Sequence, residues 1–487
     1  MGTAIVIGTV IGSGVFRKPH AVAKEVPEFG LAMLAWLAIG LVAIAGALAL
    51  AEVAVLLPRA GGNYVFLREG FGRWAGFLYG WVEFWIIRSA SIAALATVFA
   101  ESLHDVLRGI LTEDATGDVL PDWGTPAITV AAIVALALVN ARGTIWGGGL
   151  QFAVTLVKVL SLVGIAVLPF VVLFLANGSA SGPSTERLEP VWPSDVRSIV
   201  WTKVGAALIA IWWAYHGWMN VAPVAEEIRN PGRNIPLSLI AGTLTVMALY
   251  VSANFAYYLV VPREEMINKG GDQAVASLFC LSLLGKVGLM VASAAIMTSV
   301  FGALNGNLLV GPRLLYAMAR DGLAPPALCR LHPRYRTPVV AELILAAWSI
   351  VLVVAVALLL RFPLPVLDVA GLEVNLSLKP GSRPTDAFDV LTDFAMFGSF
   401  SFETLAVASL FALRWRNPPD RVPLPYRCPL YPWLPVGYVL VMTAILASYF
   451  FKDTGEPYFA LGFIAVGAMI YLLVFAGRAT AKVESLP

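Results

Sequence analysis

Charge is scarce in this chain. Only 13% of its 487 residues are Asp, Glu, Lys or Arg, roughly half the share typical of soluble domains, which excludes an ordinary soluble globular protein. Basic and acidic residues nearly cancel, 33 against 31, for a net charge of +2. Such a balance provides no basic face for nucleic acid. Cysteine is rarer still: Cys280, Cys329 and Cys428 lie far apart and make neither a disulfide framework nor a metal motif. The four histidines have no ligand spacing, so no metal and no cofactor are expected. No nucleophile, base or metal ligands are grouped as an enzyme would need them. A cleavable signal is missing too: no basic segment precedes the apolar run that opens the chain, and no small-residue cleavage site ends it. That run is short in front, since Ala4 to Ile11 makes about 12 Å of helix, and a start upstream of Met1 is expected.

What is present is hydrophobic length. Apolar residues make up 59% of the chain, the mean hydropathy is +0.80, and runs of about 20 residues recur between short connections. The pattern predicts an all-α integral membrane protein of about twelve transmembrane helices. After the opening run, spans are expected near Phe29 to Leu57, Trp74 to Phe99, Pro126 to Val139, Phe152 to Leu175, Val204 to Ala225 and Leu237 to Val260. Five more follow near Val287 to Ala319, Val339 to Leu360, Val390 to Leu413, Leu434 to Phe451 and Tyr458 to Phe475. Between them lie a glycine-rich basic loop (Pro58 to Gly72), an acidic loop with Asp105, Glu113, Asp114, Asp118 and Asp122, a linker (Asn177 to Pro193) and a polar loop (Arg361 to Asp386). Alternate loops beginning at Pro58 hold slightly more Lys and Arg than the opposite set, which puts both termini on the cytoplasmic side of the cell inner (plasma) membrane.

Two spans are interrupted. In Gly8 to Phe16, Gly12, Ser13 and Gly14 break an otherwise apolar helix. A break inside lipid is expensive unless the freed backbone lines a cavity or is buried in protein. A half-helix starting after Gly14 would offer amides to an anion, and one ending near Ile11 would offer carbonyls to a cation. One such break is complementary to a zwitterion, although Gly8 and Gly12 equally fit a close helix contact. The second interruption is Gly217 within Trp212 to Asn220. Lying five spans after the first, it suggests two five-helix repeats with a binding site at the paired breaks.

Lys158 stands alone in mid-span, where an ammonium costs at least about 2.5 kcal/mol on insertion scales and marks function by default. Glu83, Arg88 and Glu403 are further intramembrane charges. Glu83 and Arg88 are five residues apart and are not expected to share a helix face; each should pair with another helix or line an aqueous path. Glu52, Glu226, Glu227, Arg229 and Arg233 fall near cytoplasmic helix ends, as an inner-gate network or as solvated interfacial charges.

Four blocks carry a family resemblance: GTVIGSGVFRKP (Gly8 to Pro19), PRAGGNYVFLREGFG (Pro58 to Gly72), AYHGWMNVAPVAEEIRNPGRNIP (Ala214 to Pro236), and FGALNGNLLVGPRLLYAMARDG (Phe301 to Gly322) running on to HPRYRTP (His332 to Pro338). A weaker fifth is Leu413 to Pro435. In this order the chain resembles the amino acid–polyamine–organocation superfamily, in particular the prokaryotic form of its L-amino-acid transporter branch. The resemblance implies a 5+5 inverted repeat with discontinuous helices one and six: residues 1–175 and 199–413 as the repeats, 176–198 as an extracellular linker, and 414–487 as two further helices and a tail. It also implies amino acids held at the breaks, the carboxylate on the amides of Ser13 and Gly14 and the ammonium on the carbonyls of Val10, Trp213 and His216. Ile11, Gly12, Ala214, Tyr215 and Gly217 would complete that site.

Trp213 takes the place of the phenylalanine that usually closes over the substrate in this family. His216 stands at a variable position, where it would tune selectivity, sense pH or simply bond backbone. Phe397 and Ser399 match side-chain pocket positions, although Phe394, Phe397, Phe400 and Phe402 also read as a lipid-facing or core stripe. By resemblance Lys158 replaces a coupling sodium ion, with Ser299 or Asn305 as partner, and acts either as a fixed charge in an exchanger or as a proton carrier in a symporter. Animal relatives bind a glycoprotein through a cysteine in the loop after helix three; Glu101 to Gly124 has none, so no disulfide-linked heavy chain is expected. The implied function is secondary active transport of neutral L-amino acids by alternating access. Transport of polyamines or cationic amino acids, and amino acid sensing without transport, are the alternatives.

Overall fold

The computed structural model describes residues 2–59, 61–112, 119–142, 147–175, 183–195, 197, 199–228, 230–270, 273–362, 367–369, 372–374, 385–418, 423–448, 450 and 456–477. Helices α1 (Gly2–Val10), α2 (Gly14–Arg17) and α3 (Pro19–Glu25) share the opening span. Next come α4 (Phe29–Leu56), α5 (Asn63–Phe71), α6 (Arg73–Val82), a π-helical turn (Glu83–Arg88), α7 (Ser89–Leu111), α8 (Gly124–Ala141) and α9 (Gly147–Leu175). The later part contains α10 (Trp201–Tyr215), a 3-10 segment (Trp218–Glu227), α11 (Pro231–Val260), α12 (Arg263–Lys269), α13 (Val275–Arg320), α14 (Val339–Arg361), α15 (Thr385–Arg416), α16 (Trp433–Ser448) and α17 (Glu456–Ile470).

Among the described residues, eight helices are long and apolar enough to cross a membrane, and Gly2–Arg17, Trp433–Ser448 and Ala460–Phe475 are apolar but shorter. The architecture is helical, as expected, apart from one short hairpin. Within the polar loop after α14, β1 (Leu367–Val369) pairs antiparallel with β2 (Leu372–Val374), Leu367 opposite Val374. Leu367, Val369, Leu372 and Val374 alternate with Asp368 and Glu373, the period-two pattern of a strand. Several helices also outrun their apolar cores: α13 begins at Val275 and bends at Gly285, whose φ of +63° suits glycine alone. The acids Glu113, Asp114 and Asp118, residues 176–182, Arg229 and the side chains of Glu226, Glu227 and Phe394 lie outside the described residues.

The interior is aromatic and the outside is apolar. Trp36, Trp212, Trp218, Tyr64, Tyr215 and Tyr250 are wholly buried, while Leu41, Phe170, Phe174 and Leu472 point outward, the arrangement expected where lipid is the solvent. Around this core α4 packs along α11, and α7 along α13. Phe397, Phe400 and Phe402 are buried, so these three belong to the core and not to a lipid-facing stripe.

The π-turn overturns the expectation for Glu83 and Arg88. Its i→i+5 bonding widens the turn and brings residues five apart onto one face, so that Arg88 Nη2 donates to Glu83 Oε1. Arg88 Nη1 reaches across to Asn307 Oδ1 of α13 at 2.6 Å, which is the interhelical contact expected for it.

A second buried ion pair ties α4 to α15. Arg414 donates to Glu52 Oε1 at 2.8 Å and Oε2 at 2.5 Å, and its guanidinium lies 3.8 Å from the centroid of the Tyr431 ring. The backbone N–H of Cys428 donates to the same carboxylate at 2.6 Å, so Glu52 holds the segment after α15 as well as the helix. Burial and the Glu52 charge push the Cys428 thiol up to about 12, which keeps it protonated and poorly reactive. Glu52→Ala strands the Arg414 guanidinium, a loss of roughly 3–5 kcal/mol for a buried pair. We expect a lower unfolding midpoint and faster maleimide labelling of Cys428 in that variant; an unchanged labelling rate would refute the latch.

Candidate functional site

The first break runs from Ile11 to Ser13. Gly12, Ser13 and Gly14 cannot sustain the helix, so α1 ends at Val10 and α2 begins at Gly14. Among the described residues the amides of Gly12, Ser13, Gly14 and Val15 make no backbone hydrogen bond, and Ser13 Oγ is buried without a partner. The freed carbonyls do have donors. Lys158 of α9 is wholly buried and donates to Gly8 O and Ile11 O, both at 2.7 Å. Ser299 of α13 donates to Ile11 O and Gly12 O, each at 3.3 Å. Ser299 therefore meets Lys158 through a shared carbonyl, because an ammonium can only donate and the break supplies acceptors. Asn305 is buried on the same helix, and no hydrogen bond joins it to Lys158 among the described residues; that expected pairing is not made.

The second break lies at His216 and Gly217, between α10 and the 3-10 segment. Gly217 has φ +105°, and a Cβ there would lie 3.1 Å from Thr9 O; Thr9 Oγ1 in turn donates to Gly217 O at 3.2 Å. A Cβ on Gly14 would fall 2.4 Å from the Ala214 Cα. The two interruptions therefore meet backbone to backbone, and both contacts require glycine. Tyr250 of α11 pins them together, its hydroxyl 3.1 Å from Val10 O and 3.0 Å from Ala214 O. Tyr215 points away from the break, into an aromatic group with Trp36 and Tyr250, and donates to Trp36 O at 3.2 Å.

A small cavity opens between the breaks. Val10, Gly12, Ser13, Gly14, Trp213, His216 and Gly217 line it, with Ser91, Asn220 and Asn307. Ile11, Ala214 and Tyr215 sit behind this surface, supporting it. Over the cavity, Trp213 lies nearly parallel to His216 at 6.3 Å and meets Phe388 edge-on at 6.0 Å. Phe388 also carries Arg17 at 4.9 Å and Lys18 at 5.0 Å against its ring. Lys18 donates to Thr392 Oγ1 at 2.9 Å, and Arg17 pairs with Glu101. Trp213 thus lines the cavity, with Phe388 packed against it.

Behind His216 is a second, small polar chamber bounded by Glu83, Arg88, Ser399 and Glu403. His216 Nδ1 is 2.8 Å from Glu403 Oε1, and Ser399 Oγ donates to that oxygen at 2.6 Å. Phe397 lines neither space and packs instead on Phe450. Tyr250, Asn307, Phe388 and Glu403 escaped the reading of the sequence as site residues. Only Glu403, a charge in mid-span, carried a local signal.

The amino acid permease family matches residues 2–480. The chain is 31% identical over 455 residues to the serine/threonine exchanger SteT of Bacillus subtilis (strain 168), covering 92% of this chain and 90% of that protein. It is 27% identical over 469 residues to the cystine/glutamate transporter of Homo sapiens, covering 92% and 84%. It is also 27% identical over 476 residues to the b(0,+)-type amino acid transporter 1 of Homo sapiens, covering 97% and 86%. With a match over nearly its whole length, and two interrupted helices meeting at a buried cavity, the chain belongs to the amino acid permease family of the amino acid–polyamine–organocation superfamily.

Proposed function

We propose that this protein is a secondary active transporter that moves neutral L-amino acids across the cytoplasmic membrane by alternating access. The observation that carries the reading is the pair of breaks facing one cavity: free amides at Ser13 and Gly14 on one side, and backbone carbonyls of the two half-helices on the other. A carboxylate bonded to those amides also gains from the half-helix dipole, and an ammonium donates to the carbonyls. Val10, Trp213 and His216 supply the carbonyls in this scheme. Twelve spans in a 5+5 inverted repeat (1–175 and 199–413, joined by 176–198) with 414–487 appended, and both termini in the cytoplasm, form the frame. The chain works without a disulfide-linked heavy chain.

Exchange is the favoured mode. Lys158 lines neither cavity and is held by two carbonyls, so its ammonium acts as a fixed charge that holds the break closed from behind. A proton-coupled cycle would need a path from that nitrogen to water.

The deciding experiment is uptake of labelled amino acids and putrescine into proteoliposomes, with an empty lumen, a preloaded lumen, or an inward proton gradient. We expect uptake of neutral amino acids only into preloaded vesicles. Accumulation in empty vesicles driven by the proton gradient would replace exchange with symport, and uptake of putrescine alone would overturn the substrate class. Lys158→Ala leaves the Gly8 carbonyl without its donor and the Ile11 carbonyl with Ser299 alone, at roughly 1–3 kcal/mol for an unsatisfied group. Exchange should fall by about tenfold or more while the protein still elutes as a folded species; unaltered exchange kinetics would remove Lys158 from the mechanism.

A further inference from the structure

The polar chamber behind His216 bears on which side chain the transporter accepts, an argument that rests on the transport reading above. It shares His216, Gly217 and Asn220 with the cavity at the breaks, so a ligand held by its carboxylate and ammonium would turn its side chain toward the imidazole. That ring is fixed on one edge. Nδ1 lies 2.8 Å from Glu403 Oε1 and 3.1 Å from Ser399 Oγ. A carboxylate only accepts, so Nδ1 carries the hydrogen, and in the singly protonated ring Nε2 is then a bare acceptor. His216 keeps 19% of its side-chain surface exposed, whereas Glu403 keeps 6%. Glu403 Oε2 is a second acceptor, buried and unpartnered among the described residues.

Two acceptors call for a donor, and the surrounding charges restrict its kind. Arg88 is matched by Glu83, and the carboxylate of Glu403 opposes an anionic side chain. An aliphatic side chain would exclude water from His216 and Glu403 without replacing its hydrogen bonds, the unfavourable outcome for buried polar groups. We infer that His216, oriented by Glu403 and Ser399, reads the substrate side chain as a hydrogen-bond acceptor, and that the preferred substrates carry a short side chain ending in a hydroxyl. Glu403 and Ser399 are positioning residues here, because they act through the imidazole.

Threonine and valine test this directly, being nearly isosteric with a hydroxyl in place of a methyl. In preloaded proteoliposomes of the full chain, each would compete against whichever labelled amino acid exchanges fastest. Threonine should inhibit at about a tenfold lower concentration than valine or better, since a site that bonds a hydroxyl rejects the analogue lacking it. His216→Phe and Glu403→Leu should each bring the two within about threefold. Glu403→Gln, whose amide oxygen can still accept from Nδ1, should restore most of the preference, which a purely structural role for Glu403 would not produce. Equal potency of threonine and valine on the wild-type protein, with exchange intact, overturns the inference and leaves transport standing. Absence of uptake for every amino acid defeats the transport reading itself. Should Glu403→Leu fail to fold, the wild-type ratio and His216→Phe still decide.

Discussion

Lys158 donates at 2.7 Å to the carbonyls of Gly8 and Ile11, and the rest of the site depends on those bonds. Without them the Gly8 carbonyl would lack its donor and Ile11 O would keep Ser299 alone, in an interior where each unmatched polar group is costly. The ammonium pays part of its own desolvation by the same contacts. Its stem crosses Gly302 of α13, where a Cβ would lie 3.4 Å from Lys158 Cε and 2.3 Å from Val154 Cγ1. A larger residue at 302 would push α9 away and withdraw the donor. The first break thus exists as a defined geometry because a helix on one side supplies a cation and a helix on another leaves room for it.

The same economy governs the second break. His216 and Gly217 interrupt the helix, and Tyr250 bonds Val10 O and Ala214 O with a single hydroxyl. A phenol between two half-helices fixes their separation more tightly than apolar packing would, since a hydrogen bond specifies direction as well as distance. The unassigned capacity is left on the cavity side: free amides from Gly12 to Val15 and the unpartnered Ser13 hydroxyl. The carbonyls of the first break are bonded behind the site while its amides are open in front, the distribution expected of a place that binds a polar molecule.

Three further ion pairs lie largely inside the protein. Glu83 bonds Arg88 across the π-turn, Glu52 bonds Arg414 between α4 and α15, and Arg17 bonds Glu101 beneath Phe388. Buried pairs contribute little net stability against well-packed apolar residues. Their position is more informative: Glu52–Arg414 and Arg17–Glu101 join segments distant in sequence, and Glu83–Arg88 borders the polar pocket behind His216. Arg88 does both jobs, holding Glu83 and reaching Asn307, which lines the site.

The class of the protein, the position of most spans and both interruptions were readable from the chain alone, because lipid imposes one-dimensional rules: length of apolar run, scarcity of charge and the cost of glycine inside a helix. Lys158 stood out by the same rule. Partners were not readable. Glu83 and Arg88 were expected to face apart under α-helical spacing, and a local π-turn reversed that. The buried phenylalanines of α15, the Tyr250 hydroxyl at both breaks, Phe388 against Trp213 and Glu403 behind His216 join elements separated by long stretches of sequence. Composition and periodicity determined that helices form and where they break. Only tertiary packing decided which side chains meet there, because a hydrogen bond or ring contact depends on the rotation and offset of two helices, which no single segment encodes.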